Sequence, residues 1–147
     1  MAGFYGPLDV RKLGRGCWMT LAPLRYESDL LRGRIITVPA EFITDFASVP
    51  RTPFAWWLVG DTSHRAAVLH DWIYQRHDAE GIDRATADAI FREAAEADDQ
   101  DPEPFWRRWL AWAGIRLGGW LAWRRHGPRR ATLNPEWTER GWPQEQP

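Results

Sequence analysis

A chain of 147 residues with 44% hydrophobic content has the size and apolar material for one ordinary domain with its own core, which excludes a disordered acidic or basic tail. Its single cysteine, Cys17, excludes an intramolecular disulfide framework and a thiolate-rich zinc site, so a metal would have to be held by oxygens or histidines. The net charge of −1 conceals two opposed blocks: eleven acidic residues against four arginines between Gly60 and Asp101, a balance of −7, then seven arginines against Glu103 between Pro102 and Arg130, a balance of +6. Such blocks either attract each other within one fold or present a basic surface to an anionic partner.

The N-terminal segment shows no basic stretch feeding a long apolar run, so neither a signal peptide nor an N-terminal anchor is expected, and synthesis in the cytoplasm is. Residues 16–50 read as strands. Trp18-Met19-Thr20-Leu21 and Arg34-Ile35-Ile36-Thr37-Val38 are β-prone, with turn signals at Ser28-Asp29 and Arg32-Gly33 between them. Pro39 closes the second run, and Phe42-Ile43-Thr44 suits a third short strand. The segment from Thr44 to Arg51 is rich in breakers and reads as a loop leaving the sheet.

Helical periodicity begins after Gly60. Asp61, Thr62 and Ser63 are candidate N-caps, and Ala66, Ala67, Leu69, Ile73 and Tyr74 keep helical spacing to about Gln75, with a break expected over 77–81. Asp83 reads as the N-cap of a second helix whose apolar stripe is Ala87, Ile90, Phe91, Ala94 and Ala95. A short connection makes the two helices an antiparallel hairpin. Asp101-Pro102 would start a third helix over Phe105–Trp123, apolar nearly all round and broken at Gly118-Gly119. Its arginines and length argue against a transmembrane span. It is either a core helix whose arginines reach the surface or an interfacial helix that touches a membrane or a partner protein. The expected architecture is α+β: a small antiparallel N-terminal sheet packed on a helix hairpin and a third, tryptophan-rich helix, in one domain over 1–126 with an extended or flexible tail over 127–147.

The chemistry-bearing pattern is His70-Asp71-Trp72-Ile73-Tyr74. At helical spacing His70 and Tyr74 share a face while Asp71 points about 100° away. With the hairpin turn centred near Ala79, position 88 lies opposite position 70, so Asp88 reaches His70. A carboxylate on one imidazole nitrogen would leave the other free to take a proton from water, with Tyr74 steadying the same carboxylate. The alternative is a buried polar network that fixes the register of two helices. Asp45 is either a metal ligand delivered towards Asp71 or a cap for backbone donors in the Asp45–Ser48 turn. His77 and His126 read as solvated loop residues.

The His-Asp-x-x-Tyr run, with Asp88 in Ala87-Asp88-Ala89-Ile90-Phe91, resembles the secreted and parvoviral phospholipases A2. That resemblance implies hydrolysis of a glycerophospholipid ester by water activated at His70, with Asp88 orienting the base and calcium held partly by Asp71. The chain departs from those enzymes where their glycine-rich calcium loop lies, since Gly60 is the only glycine between Thr52 and Asp61. A wider resemblance rests on Ile36-Thr37-Val38-Pro39-Ala40, Thr44-Asp45-Phe46-Ala47-Ser48-Val49-Pro50-Arg51, Ala66 to Tyr74, Ala87 to Phe91, Arg107-Arg108-Trp109 and Arg116-Leu117-Gly118-Gly119-Trp120. This order resembles the phage-borne domain of unknown function 1353, over residues 17 to 125 or so. It implies a phage or prophage setting and a virion, tail or host-envelope role. The expected activity is therefore hydrolysis of a cell-envelope ester by a His70–Asp88 dyad with Tyr74, with calcium on Asp71 and Asp45. The alternative is a non-catalytic virion or tail component. Phage structural proteins or envelope lipid are the expected partners, with peripheral membrane contact and no nucleic acid.

Overall fold

The computed structural model describes residues 1–14, 17–44, 64–98, 105–118 and 120–124. Their order is β1 (Gly3–Tyr5), β2 (Val10–Gly14), β3 (Cys17–Thr20), β4 (Leu24–Ser28), β5 (Arg34–Val38), β6 (Ile43–Thr44), α1 (His64–Glu80), α2 (Arg84–Ala97), α3 (Phe105–Gly118) and α4 (Trp120–Arg124). Strands precede helices, and the fold is α+β. The expected single sheet is instead two three-stranded antiparallel sheets, β1-β4-β5 and β2-β3-β6. Strands β1 and β2 lie ahead of the residues read as strands: Gly3–Tyr5 is too short to show a period, and Val10–Gly14 carries Arg11 and Lys12 in a strand with a register shift between Lys12 and Gly14; β4 falls within 16–50.

In the first sheet, β4 and β5 pair with Tyr26 opposite Ile36 and Leu24 opposite Val38. All four side chains are buried while Arg25, Ile35 and Thr37 point outward, which is the alternation of a sheet covered on one face. The turn between them closes with Gly33 N–H donating to Ser28 O at 2.9 Å, and Gly33 takes φ +78, the left-handed conformation glycine adopts without cost. Thr20 then carries the chain from one sheet to the other. Its hydroxyl donates to Pro39 O at 2.8 Å and accepts from Phe42 N–H at 2.9 Å, and its backbone accepts from Glu41 N–H at 2.7 Å. The second sheet has a small core of its own, Leu13 and Met19 with Ile43 against them.

The helix hairpin covers the buried face of the first sheet. Val68, Leu69 and Ile73 of α1, together with Ala87, Ile90, Phe91, Ala94 and Ala95 of α2, join Leu24, Tyr26, Ile36 and Val38 in one core. Glu93 clamps α2 to the sheet by accepting from Tyr26 Oη at 2.9 Å, Ser28 Oγ at 2.7 Å and Leu30 N–H at 3.1 Å. Burial and the facing Glu93 carboxylate push the Tyr26 hydroxyl well above the ordinary tyrosine range, so it stays a donor. At the other end of the hairpin, the buried Arg65–Asp98 ion pair joins the start of α1 to the end of α2, and Arg65 also lies over the Phe4 ring at 4.6 Å.

Helix α1 runs further than its periodicity predicts. It continues to Glu80 through a non-helical Arg76 (φ −126, ψ 16), so the irregularity expected over 77–81 becomes a kink one residue earlier. The tryptophan-rich segment breaks where expected, with α3 ending at Gly118 and α4 starting at Trp120. Helix α3 packs on α2 through Ile115, while Phe105, Trp106, Trp109, Leu110 and Leu117 are exposed. Residues 127–147 lie outside the described residues, as do the candidate N-caps before α1 and α3.

Candidate functional site

The hairpin is built so that two non-adjacent polar residues meet inside it. Asp83 caps α2, its Oδ1 accepting Thr86 N–H at 3.0 Å and its Oδ2 accepting the Thr86 hydroxyl at 2.9 Å. Those bonds hold the Asp83 carboxyl below its ordinary range. Gly81 (φ +64) turns the chain, and Ile82 N–H reaches back to His77 O at 3.2 Å. This short return sets the helices antiparallel with position 70 facing position 88.

There, His70 Nε2 lies 3.0 Å from Asp88 Oδ1, and the Tyr74 hydroxyl donates to the same oxygen. His70 is 3% exposed and Asp88 0%. The imidazole sits between the rings of Tyr74 (centroids 4.0 Å apart) and Phe91 (5.4 Å). The second carboxylate oxygen is held from the third helix: Arg116 Nη1 donates to Asp88 Oδ2 at 3.0 Å, and Arg84 Nε stands 3.8 Å away. Arg84 is itself anchored on the last turn of α3, donating to Ile115 O at 3.3 Å and Arg116 O at 2.5 Å.

Burial on its own would raise the Asp88 carboxyl, but hydrogen bonds from His70 and Tyr74, the imidazole charge and the bond from Arg116 outweigh it and leave the group below its ordinary value. Asp88 is thus ionised at neutral pH and accepts only. Facing an acceptor, Nε2 of His70 is the donor in this pair. Burial, and then the bond to Asp88, push the Tyr74 hydroxyl up, so it remains a neutral donor.

Asp71 points to the other side of α1, as its spacing requires. It is buried, and its Oδ2 accepts the Thr44 hydroxyl of β6 at 2.5 Å, which ties the second sheet to the hairpin. Asp45, the other expected calcium ligand, lies outside the described residues. Among the described residues no group of three or more His, Cys, Asp or Glu side chains converges as a metal site.

Three participants escaped the sequence reading. Arg116 and Arg84 complete the carboxylate's coordination, and Trp123 of α4 covers the outer end of the site, stacked on His77 at 3.9 Å and edge-on to Tyr74 at 5.0 Å. His77 is consequently a buried helix residue, not the solvated loop residue expected; the helix runs on past it and Trp123 shields it. The Arg84–Asp88 spacing of i, i+4 is a signal present in the sequence. The reach of Arg116 is not, because it depends on how α3 crosses α2.

Comparison with known families decides the chain's membership. Residues 18–115, two thirds of the chain, match the family described as protein of unknown function (DUF1353). The chain belongs to the DUF1353 family. The DUF1353 match runs from β3 into the last turn of α3, taking in Asp45, His70, Asp71, Tyr74 and Asp88 and stopping one residue before Arg116. No curated protein and no solved structure matches the chain.

Proposed function

We propose that the protein is a hydrolase of a phospholipid-type ester of the cell envelope, with His70 as general base. The observation that carries this reading is the disposition of Asp88. One of its oxygens is committed to His70 Nε2 at 3.0 Å and to Tyr74, the other to Arg116 at 3.0 Å, so the imidazole is held through Nε2 and Nδ1 is turned away from the carboxylate. In the proposed reaction Nδ1 takes a proton from water as the water oxygen bonds to the ester carbonyl carbon. The carbon–oxygen bond to the alcohol then breaks, and the departing alkoxide recovers the proton from Nδ1. Asp88 stabilises the imidazolium throughout without taking the proton, and Tyr74 and Arg116 keep Asp88 in place.

A second reading, a non-catalytic virion or tail component, is favoured by the depth of the same residues, since His70 and Asp88 are 3% and 0% exposed. On that reading the network locks the hairpin. His70→Gln separates the two, because glutamine can still donate to Asp88 but is no base at neutral pH. For the hydrolase, release of fatty acid from phospholipid falls about 10²–10⁴-fold with little change in melting temperature. A wild-type protein that releases no fatty acid, together with a variant that loses melting temperature, would leave the assembly role.

A further inference from the structure

Helix α3 places large apolar side chains where a surface helix normally places charge. Phe105, Trp106, Trp109, Leu110 and Leu117 fall within an arc of about 140° when successive residues turn by roughly 100°. Phe105 is 66% and Leu117 82% exposed, and Trp120 of α4 is exposed beyond them. The opposite side of α3 carries Ile115, buried against α2. The apolar stripe is thus on the outside of the molecule and the smaller buried contact on the inside. Exposed surface of this kind, contiguous and aromatic, marks an interaction site.

The charge around it identifies the occupant. From Phe105 to Arg124, the span of the two helices, the sequence contains four arginines and no aspartate or glutamate. The guanidinium of Arg124 lies over the Trp120 ring at 5.0 Å, and that of Arg92 over Trp109 at 4.6 Å. Tryptophan rings with guanidinium groups at their faces, one from Arg124 of α4 and one from Arg92 of the neighbouring α2, suit the headgroup boundary of an anionic bilayer. There the rings sit among the upper acyl chains and the cations meet lipid phosphates. No helix among the described residues is long and apolar enough to cross a membrane, so such contact would lie along the surface.

We infer that the exposed aromatic side of α3 and α4 is a docking surface for an anionic membrane. The inference deepens the hydrolase reading and rests on it only in making the docked lipid the substrate. The two are joined through Arg116, which belongs to the docking helix and holds Asp88 Oδ2 at 3.0 Å, so the surface that meets lipid and the carboxylate behind His70 are one residue apart.

The test is sedimentation of the full chain with vesicles of mixed phosphatidylcholine and phosphatidylglycerol, and with phosphatidylcholine alone. Stronger partitioning onto the anionic vesicles is expected, weakened by salt as charge screening requires. The double variant Phe105→Ser, Leu117→Ser should reduce it roughly tenfold or more while keeping the wild-type melting temperature, because both side chains stand in solvent. Wild-type protein that does not partition overturns the inference. So does a variant that partitions equally, or a concentration-dependent dimer that the double variant abolishes, which would make a second copy the occupant. Hydrolysis is assayed separately with a dispersed short-chain ester. Partitioning without any fatty-acid release keeps the docking surface and removes the hydrolase; hydrolysis of the dispersed ester without partitioning does the reverse.

Discussion

Asp88 is fully buried and accepts from three side chains on two other helices, so its charge is stabilised by donors and not by solvent. Its carboxyl lies below the ordinary value, near 4 for an unfolded chain, and the sign of the consequence follows. A group whose folded-state value is depressed contributes stability that is fully present above the unfolded value and lost as pH falls through the folded one. Wild-type melting temperature should therefore hold above pH ~5 and fall below pH ~4, and the gap between wild type and Asp88→Asn should narrow over that acid range. A gap that widens on acidification would contradict the assignment. At neutral pH, Asp88→Asn is expected to cost about 2 kcal/mol, the scale of a hydrogen bond to a charged acceptor. Partial solvation of Arg116, whose side chain is 37% exposed, keeps the cost below that of breaking a sealed ion pair.

The helix hairpin is the element that brings position 70 to position 88, and its turn rests on two residues that touch no ligand. Asp83→Ala removes the acceptor for Thr86 N–H and should cost about 1 kcal/mol. Gly81→Ala should cost a similar amount, about 1–2 kcal/mol, for a different reason. A Cβ at Gly81 meets nothing within 4 Å, so the penalty is conformational, from φ +64, and not steric. Urea unfolding of the two single variants checks this. If Gly81→Ala were neutral, the left-handed turn would not be what sets the register.

At the scale of the whole molecule, the third layer closes the site from outside. The acidic and basic blocks of the sequence meet in part through Arg116–Asp88, which joins α3 to α2, so their opposition serves the fold. Helix α4 adds Trp123 over His77 and Tyr74. Trp123→Ala should cost about 1–3 kcal/mol in a denaturant titration, combining lost aromatic contact with partial burial. It should also expose His77, measurable as faster modification by an imidazole-directed reagent. Unchanged stability and reactivity would mean that α4 does not seal this end.

The α+β class, the Asp83 cap, the apolar stripe of α2, the break after Gly118 and the pairing of His70 with Asp88 were all legible in the chain, because each depends on spacing within one element or across one short turn. The DUF1353 membership was legible too, since it rests on the order of segments. Three kinds of feature were not. Strand β1 has three residues, too few to show a period, and β2 carries Arg11 and Lys12, so their pattern is weak until a partner strand is known. The exposure of α3 could not be read from a segment apolar nearly all round, because such a sequence fits a buried helix as well as a surface one, and only packing through Ile115 decides which side is inside. The third hold on Asp88 came from Arg116, 28 residues away in sequence. Its reach depends on the crossing of α3 over α2, a long-range geometry that local periodicity does not encode and that tertiary packing alone sets.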